Sequence, residues 1–191
     1  MKLDHNYVPP RRSEYLQAIG TFTRGLNELT EDAPVLIFLR ILMQQLLGFP
    51  WYLLTNITAA RESAVKPPSK KFLGNSHFAP WGSLFRAEEA HLILLSDLGI
   101  IIMATLLHLF TLKFGFTTTF LLYFQPYIWV NHWIVAITYL HHTHPSLPKF
   151  EPEAWNFLKG ATATIDRPLG FIGRYFLHDI VDYHVVHHLF S

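Results

Sequence analysis

Two long apolar runs, joined by a short turn, constrain the fold of this chain more than any other feature. The first run extends from His91 to Leu112, the second from Thr117 to Leu140, and the turn between them is Lys113–Phe116. A helix of about 20 predominantly apolar residues is long enough to cross the hydrocarbon core of a bilayer. The runs therefore predict a transmembrane helical hairpin with spans at 92–112 and 117–140. The alternative is a pair of buried helices in a soluble all-α protein.

A third apolar segment, residues 35–57, is also long enough to cross a bilayer by length alone. A charged residue at the bilayer centre costs at least about 2.5 kcal/mol on insertion scales. We therefore expect this segment to pack against other helices or to lie in the membrane interface. The expectation rests on its polar and helix-breaking residues, which are Arg40, Gln44, Gln45 and Pro50.

The composition agrees with a membrane protein and excludes several kinds of site. Apolar residues make up 50% of the chain and charged residues 15%, against roughly 25% charged residues in soluble domains. The net charge of +1 argues against a nucleic-acid-binding surface. The chain has no cysteine, which excludes disulfides, thiolate nucleophiles and cysteine-ligated metal sites. We interpret residues 1–191 as one domain.

Basic residues on both sides of the hairpin predict its orientation. Residues 66–86, before the hairpin, contain four and residues 149–174, after it, contain four, whereas the turn contains only Lys113; the eight are Lys66, Lys70, Lys71, Arg86, Lys149, Lys159, Arg167 and Arg174. By the positive-inside rule, both flanks are cytosolic. Because a two-span hairpin returns the chain to its starting side, residues 1–90 and those after Leu140 are expected on the cytosolic face.

Twelve histidines are many for this length, and the densest group is His184-Val185-Val186-His187-His188. Positions i, i+3 and i+4 of a helix lie on one side of it. Neutral imidazoles in such a group are suitable ligands for iron, zinc or copper. The alternative is a surface helix that is rich in histidine. A second helix is predicted near Phe150–Thr162.

A second group, His141 and His142, follows the second apolar run on the same predicted side of the membrane. His142 could complete a metal site, although histidines at a helix end are often structural. Candidates that could orient ligand rings by hydrogen bonds are Asp182, Asp179, His141 and, more weakly, His178. A membrane metal transporter is a further alternative, but it would need more ionisable residues in the spans than Asp97, His108 and His132.

These histidines lie within longer segments that resemble a known family. The segments are Leu47–Leu53, Ser96–Gly99, Tyr139–Pro148 with the following Trp155, Gly160–Arg167, His178–Ile180 and His184–Ser191. Together they resemble the acyl-lipid Δ12 (ω-6, oleate) desaturases, the membrane fatty-acid desaturases of fungi and plants. The resemblance runs through nearly the whole chain and is most specific over 131–191.

The resemblance implies an oxygen-dependent enzyme of the endoplasmic reticulum that inserts a cis double bond into an acyl chain. The substrate is typically oleoyl esterified to phospholipid, and electrons come from cytochrome b5. The resemblance also implies non-haem iron, a di-iron centre in the family. His184, His187 and His188 match the family's third histidine box, and His142 matches the histidine after the second hairpin helix. His141 stands where plant members usually carry Gln. Hydroxylases and conjugases share these motifs.

The chain departs from the family pattern because two earlier histidine boxes, of the H-x3–4-H and H-x2–3-H-H types, are absent from these 191 residues. Asp4–Pro10 resembles the stretch that follows the second box, and the family continues beyond the third.

Taken together, the apolar runs, the basic flanks and the histidines predict an all-α membrane hairpin with a cytosolic helical cap that carries the histidines. We also expect this chain alone to bind metal weakly and not to desaturate. A truncated, non-catalytic relative is the corresponding alternative.

Overall fold

The structure is a computed structural model, and it describes residues 25, 30, 32–57, 59, 64–71, 73–148, 150, 154 and 156–190. The regular elements in this part of the chain are helices, with no β-strand among them. The predicted all-α class is therefore confirmed for the described residues.

The first long helix, α1, extends over Pro34–Thr55. Pro34 suits the first helical position because it has no amide hydrogen that would need a partner there. The helix ends at Asn56, which takes the left-handed conformation (φ 54°) and donates its amide hydrogen to the Tyr52 carbonyl at 2.7 Å. The segment expected to be packed or interfacial thus forms one helix that is long and apolar enough to cross a membrane.

The second long helix, α2, extends over Ala90–Phe114 and continues a 3₁₀ turn at Ala87–Glu89. With that turn it is also long and apolar enough to cross a membrane, in agreement with the predicted span 92–112. It ends at Gly115, whose φ of 86° lies in the region that glycine adopts without steric cost.

The second predicted span, 117–140, falls within a helical stretch that is not uniform. It comprises α3 (Phe116–Thr119), a π-helical segment (Phe120–Phe124) and α4 (Gln125–His142). Among the described residues, the two helices that meet the length and composition of a span are Pro34–Thr55 and Ala87–Phe114. The transmembrane hairpin and its cytosolic orientation therefore remain predictions.

The helices α1 and α4 pack against each other along their C-terminal halves. A β-carbon built on Gly48 of α1 would lie 3.3 Å from Cγ2 of Val135 on α4, which is tight packing. Tyr52 of α1 and His142 of α4 line the same cavity, so both helices direct their C-terminal ends to the same end of the molecule.

Three short helices follow α4 at that end: α5 (Phe157–Ala161), α6 (Phe171–Phe176) and α7 (His184–Phe190). The helix predicted near Phe150–Thr162 begins only at Phe157, because Asn156 is extended and its side chain caps the Lys159 amide at 2.9 Å. Val181, Ala161 and His141 are almost fully buried here. In contrast, most large apolar side chains of α1 and α2 are exposed, as expected for surfaces that face lipid.

Candidate metal centre

Three histidines from two separate elements converge at the end of α4. His142 is the last residue of α4, and His184 and His188 lie one turn apart on α7. The Nε2 atom of His142 is 3.4 Å from that of His184 and 3.2 Å from that of His188. The Nε2 atoms of His184 and His188 are 3.2 Å apart. The three nitrogens thus form a nearly equilateral triangle.

The spacing of this triangle fits the coordination sphere of one metal ion. Two nitrogens that bind one ion at about 2.1 Å lie about 3.0–3.4 Å apart when the angle between the bonds is 90–109°. The observed separations of 3.2–3.4 Å agree with that range. His142, His184 and His188 also form a group of side chains that could hold a metal ion. The side chains are therefore arranged as three ligands, with no rearrangement required.

A backbone hydrogen bond orients the His184 ring. Its Nδ1 atom lies 2.9 Å from the Ile180 carbonyl oxygen, so Nδ1 carries the proton and donates it there. The lone pair is then on Nε2, which faces His142 and His188. The sequence alone does not predict this orienting group. The sequence feature that indicates it is the spacing of four residues between Ile180 and His184, which brings the carbonyl of the first close to the side chain of the second in a helical turn.

The electrostatic environment keeps two of these rings neutral. Burial, followed by the proximity of His188, His184 and His141, lowers the pKa of His142 to about 3, although a hydrogen bond with the Ala163 backbone acts in the opposite direction. Burial is also the main cause that lowers the pKa of His184 to about 4. Both rings are therefore neutral at pH 7, the state in which imidazole binds metals.

The fourth predicted ligand, His187, lies outside the triangle. The centroid of its ring is 5.6 Å from the ring centroids of both His184 and His188. It is exposed, and it lines the same cavity as the other three histidines. The structure thus brings three of the four predicted ligands together and leaves His187 beside them.

His141 is buried behind the triangle, and both of its nitrogens face backbone oxygens. Nδ1 is 2.7 Å from the Ile137 carbonyl and Nε2 is 3.2 Å from the Val181 carbonyl. Its ring packs on the His184 ring with centroids 4.3 Å apart. Neither nitrogen is one of the three that converge, and a role of His141 in positioning a neighbouring ring remains a prediction.

Of the other predicted orienting residues, Asp182 contacts the backbone through its side chain, and His178 and Asp179 lie in a turn. Asp182 accepts the Leu169 amide hydrogen at 3.1 Å, and its buried second oxygen has no hydrogen-bond partner in the described part of the chain. His178 and Asp179 have positive φ angles, 49° and 62°, in the turn after α6, where the Asp179 amide donates to the Gly173 carbonyl at 2.9 Å. A role of these three residues towards a ligand ring remains a prediction.

An apolar cavity of about 740 Å³ leads to the histidines between α1 and α4. Its walls are mostly hydrocarbon, and the four histidines form one end. Residues of the walls include Met43, Leu47 and Gly48 on α1 and Val135 and Thr138 on α4. Sequence analysis did not predict this cavity, because it depends on how the two helices pack.

The chain is similar to curated proteins over its whole length. It is 42% identical to an oleate hydroxylase of Claviceps purpurea over 199 residues, an alignment that covers 100% of the chain and 42% of that protein. It is 35% identical to a Δ12 fatty acid desaturase of Mortierella isabellina, covering 100% of the chain and 47% of the relative. It is also 35% identical to a Δ12 fatty-acid desaturase of Arabidopsis thaliana, covering 100% and 45%.

The chain spans less than half the length of these relatives. No protein-family model and no solved structure matches it.

Proposed function

Because the chain belongs to the family of the Δ12 fatty acid desaturases and oleate hydroxylases, we propose that it acts as an oxygen-dependent acyl-lipid desaturase of the oleoyl-to-linoleoyl type. The observation that carries the proposal is the convergence of three imidazole nitrogens at one end of an apolar cavity. A metal site that opens into hydrocarbon-lined space suits chemistry on an acyl chain better than chemistry on a polar substrate.

In this proposal, His142, His184 and His188 hold a non-haem iron ion, and His187 is available at the same end of the cavity. When bound, the iron supplies the activation of dioxygen that cleavage of an unactivated C–H bond requires. The family uses two iron ions, and the triangle of nitrogens would supply three ligands for one of them. Cytochrome b5 is the proposed electron donor.

The protein's own contribution is to hold the acyl chain beside the histidines. Along α4, Thr138 lies about 6 Å from His142 and Val135 about 10 Å, at a rise of about 1.5 Å per residue. The cavity therefore extends at least two helical turns from the histidines. Apolar walls of this length bind a hydrocarbon chain through the hydrophobic effect, and they keep water away from the reacting carbon.

The small size of Gly48 keeps this space open. A β-carbon at this position would already lie 3.3 Å from Val135, so any larger side chain would enter the cavity or separate the helices. We propose that Gly48 and Val135 determine the width of the acyl-binding space.

The endoplasmic reticulum is the location that the family implies, and the arrangement of the helix ends supports the proposed orientation with the histidines towards the cytosol. Tyr52 near the end of α1 and Leu92 near the start of α2 line one further cavity. The start of α2 and the end of α4 thus lie at the histidine end. If the predicted spans 92–112 and 117–140 cross the membrane, their basic flanks lie on the same side as the histidines, as the positive-inside rule requires.

Hydroxylation of the acyl chain is the second candidate outcome. It is favoured by the 42% identity to a protein that is named an oleate hydroxylase, against 35% identity to the two desaturases described above. Both outcomes begin with the same C–H bond and require the same positioning of the acyl chain. Analysis of the lipid products therefore has to determine which carbon of the acyl chain reacts and which head group the substrate carries.

The test is expression of the chain in a yeast host that makes oleoyl lipids and no dienoic or hydroxylated acyl chains. The His188→Ala variant removes one corner of the triangle, and His108→Ala is a matched control on α2. Dienoic acyl chains in the wild type and in the control, but not in His188→Ala, support the desaturase. Hydroxylated chains with the same dependence support the hydroxylase. Absence of both products, with the protein present in the membrane fraction, rejects the proposal and supports the opposing expectation, drawn from the two absent histidine boxes, that this chain alone does not desaturate.

A further inference from the structure

The segment 164–169 lies between the two elements that carry the converging histidines. On one side it contacts the end of α4: the Thr164 hydroxyl donates to the His141 carbonyl at 3.0 Å, and the Ile165 amide is 3.3 Å from the same oxygen. On the other side, the Leu169 amide donates to Asp182 at 3.1 Å. Thr164 is buried, so this connection is part of the folded interior.

Arg167 forms hydrogen bonds with the end of α4 and with the turn that precedes α7. Its side-chain Nε donates to the Leu140 carbonyl at 3.0 Å, and its backbone amide donates to the Val181 carbonyl at 2.9 Å. Leu140 is in the last turn of α4, where carbonyls have no partner within the helix and attract a positive charge. Arg167 thus joins the end of α4 to the turn that precedes α7.

Asp166 bonds to α7 itself. Its Oδ1 atom accepts the amide hydrogen of Val185 at 2.9 Å. Val185 follows His184 in the first turn of α7, where amide hydrogens have no intrahelical partner. The bond therefore fixes the backbone immediately next to a histidine of the triangle.

We propose that Asp166 and Arg167 are positioning residues that clamp α7 onto the end of α4 and thereby set the separations within the histidine triangle. The inference deepens the proposed function and rests on it for the metal. His142 is separated from His184 by 42 residues and from His188 by 46, so their nitrogens stay 3.2–3.4 Å apart only while the two helices are held together.

Conservative substitutions of Asp166 and Arg167 test whether the clamp depends on hydrogen bonds or on charge. Asparagine accepts an amide hydrogen at a helix start as well as aspartate does, so Asp166→Asn should retain the function that Asp166→Ala loses. Lysine lacks the Nε–H group and the planar fork of arginine, so Arg167→Lys should not replace Arg167 fully. Matched controls are Glu88→Ala and Arg174→Ala, which remove an exposed charge of the same sign away from the triangle.

The experiment uses two readouts on the purified full chain in detergent micelles. The first is the affinity for Co²⁺, followed by its visible absorption. The second is the distance between spin labels at Trp129→Cys on α4 and Val186→Cys on α7, both of which are exposed. The chain has no other cysteine, so the labels are specific. Trp129 lies roughly 20 Å from His142 along α4, which suits pulsed electron resonance.

We expect Asp166→Ala and Arg167→Ala each to weaken Co²⁺ binding on the order of tenfold, within the range for groups that support metal ligands. We expect both to broaden the label distance, whereas Asp166→Asn and the two controls should resemble the wild type. Unchanged label distances in Asp166→Ala and Arg167→Ala would overturn the clamp. If the wild type binds no Co²⁺ while these variants broaden the distances, the clamp is supported and the proposed metal site fails.

Discussion

The Nε2 atoms of His142 and His188 lie 3.2 Å apart, although 46 residues separate the two histidines in the sequence. This closeness gives a first prediction about metal binding. Replacing His142, His184 or His188 by alanine should weaken binding at least tenfold, because each removes one of three converging nitrogens. The measurement is the metal content of the purified chain after equilibration with Fe²⁺ under anaerobic conditions.

Substitution of His187 is the comparison that tests the triangle itself. Its ring centroid is 5.6 Å from those of His184 and His188, so His187→Ala should have a smaller effect than His188→Ala. Equal losses of metal in the two variants would contradict the three-histidine arrangement.

The second prediction concerns the dependence of stability on pH in the metal-free protein. Burial lowers the pKa of His142 to about 3 and that of His184 to about 4, whereas an unfolded histidine titrates near 6.5. As pH falls below about 6.5, the unfolded chain takes up protons that the folded chain does not, so the folded state loses stability. The loss should continue until the pH falls through the folded pKa values.

Thermal unfolding in detergent between pH 7.5 and pH 4 measures this effect. The melting temperature should fall with pH in the wild type and fall less steeply in His142→Ala, which lacks one of the two buried groups. A melting temperature that is constant from pH 7 to pH 5 would contradict the prediction.

Sequence reasoning located the helix that carries the histidines but could not decide which of them converge. On a helix with 3.6 residues per turn, positions i and i+4 differ by about 40° around the axis, while i+3 and i+4 differ by about 100°. His184 and His188 can therefore meet a third ligand together, whereas His187 lies about 60° from His184 in the opposite direction around the axis. The choice depends on the direction from which α4 approaches, which is a tertiary property.

The same limit applies to the long helices. The composition of segment 35–57 predicts packing against other helices or an interfacial position, and the segment forms a single helix, Pro34–Thr55, that contacts α4 at Gly48. Local composition sets the cost of placing a residue in a membrane, but it does not determine the helix partner. The close contact of Gly48 with Val135, the cavity beside it and the bonds of Asp166 and Arg167 all arise from packing between distant segments.

The third prediction concerns the width of the cavity at Gly48. Gly48→Ala places a methyl group 3.3 Å from Val135, and overpacking of this kind costs about 1–3 kcal/mol. We expect lower product formation in the yeast assay, and we expect the added substitution Val135→Ala to restore it by making room. Gly99→Ala is the matched control, since a β-carbon at Gly99 meets no atom within 4 Å. Failure of Val135→Ala to rescue Gly48→Ala would show that the two residues do not jointly determine the width.

The last prediction concerns His141, which we expect to stabilise the fold around the histidine triangle without binding the metal. Its two nitrogens lie 2.7 Å and 3.2 Å from the carbonyls of Ile137 and Val181, and the side chain is 2% exposed. His141→Ala should destabilise the fold by about 2–4 kcal/mol, because it leaves a cavity and a carbonyl without its partner. His141→Gln keeps an amide donor that can reach one of the two oxygens, so it should lose less stability and retain the metal content of the wild type. Thermal unfolding measures the first effect, and His144→Ala, which removes an exposed histidine three residues away, is its control. If His141→Gln folded as stably as the wild type but lost its metal, His141 would be a ligand, contrary to the geometry of its hydrogen bonds.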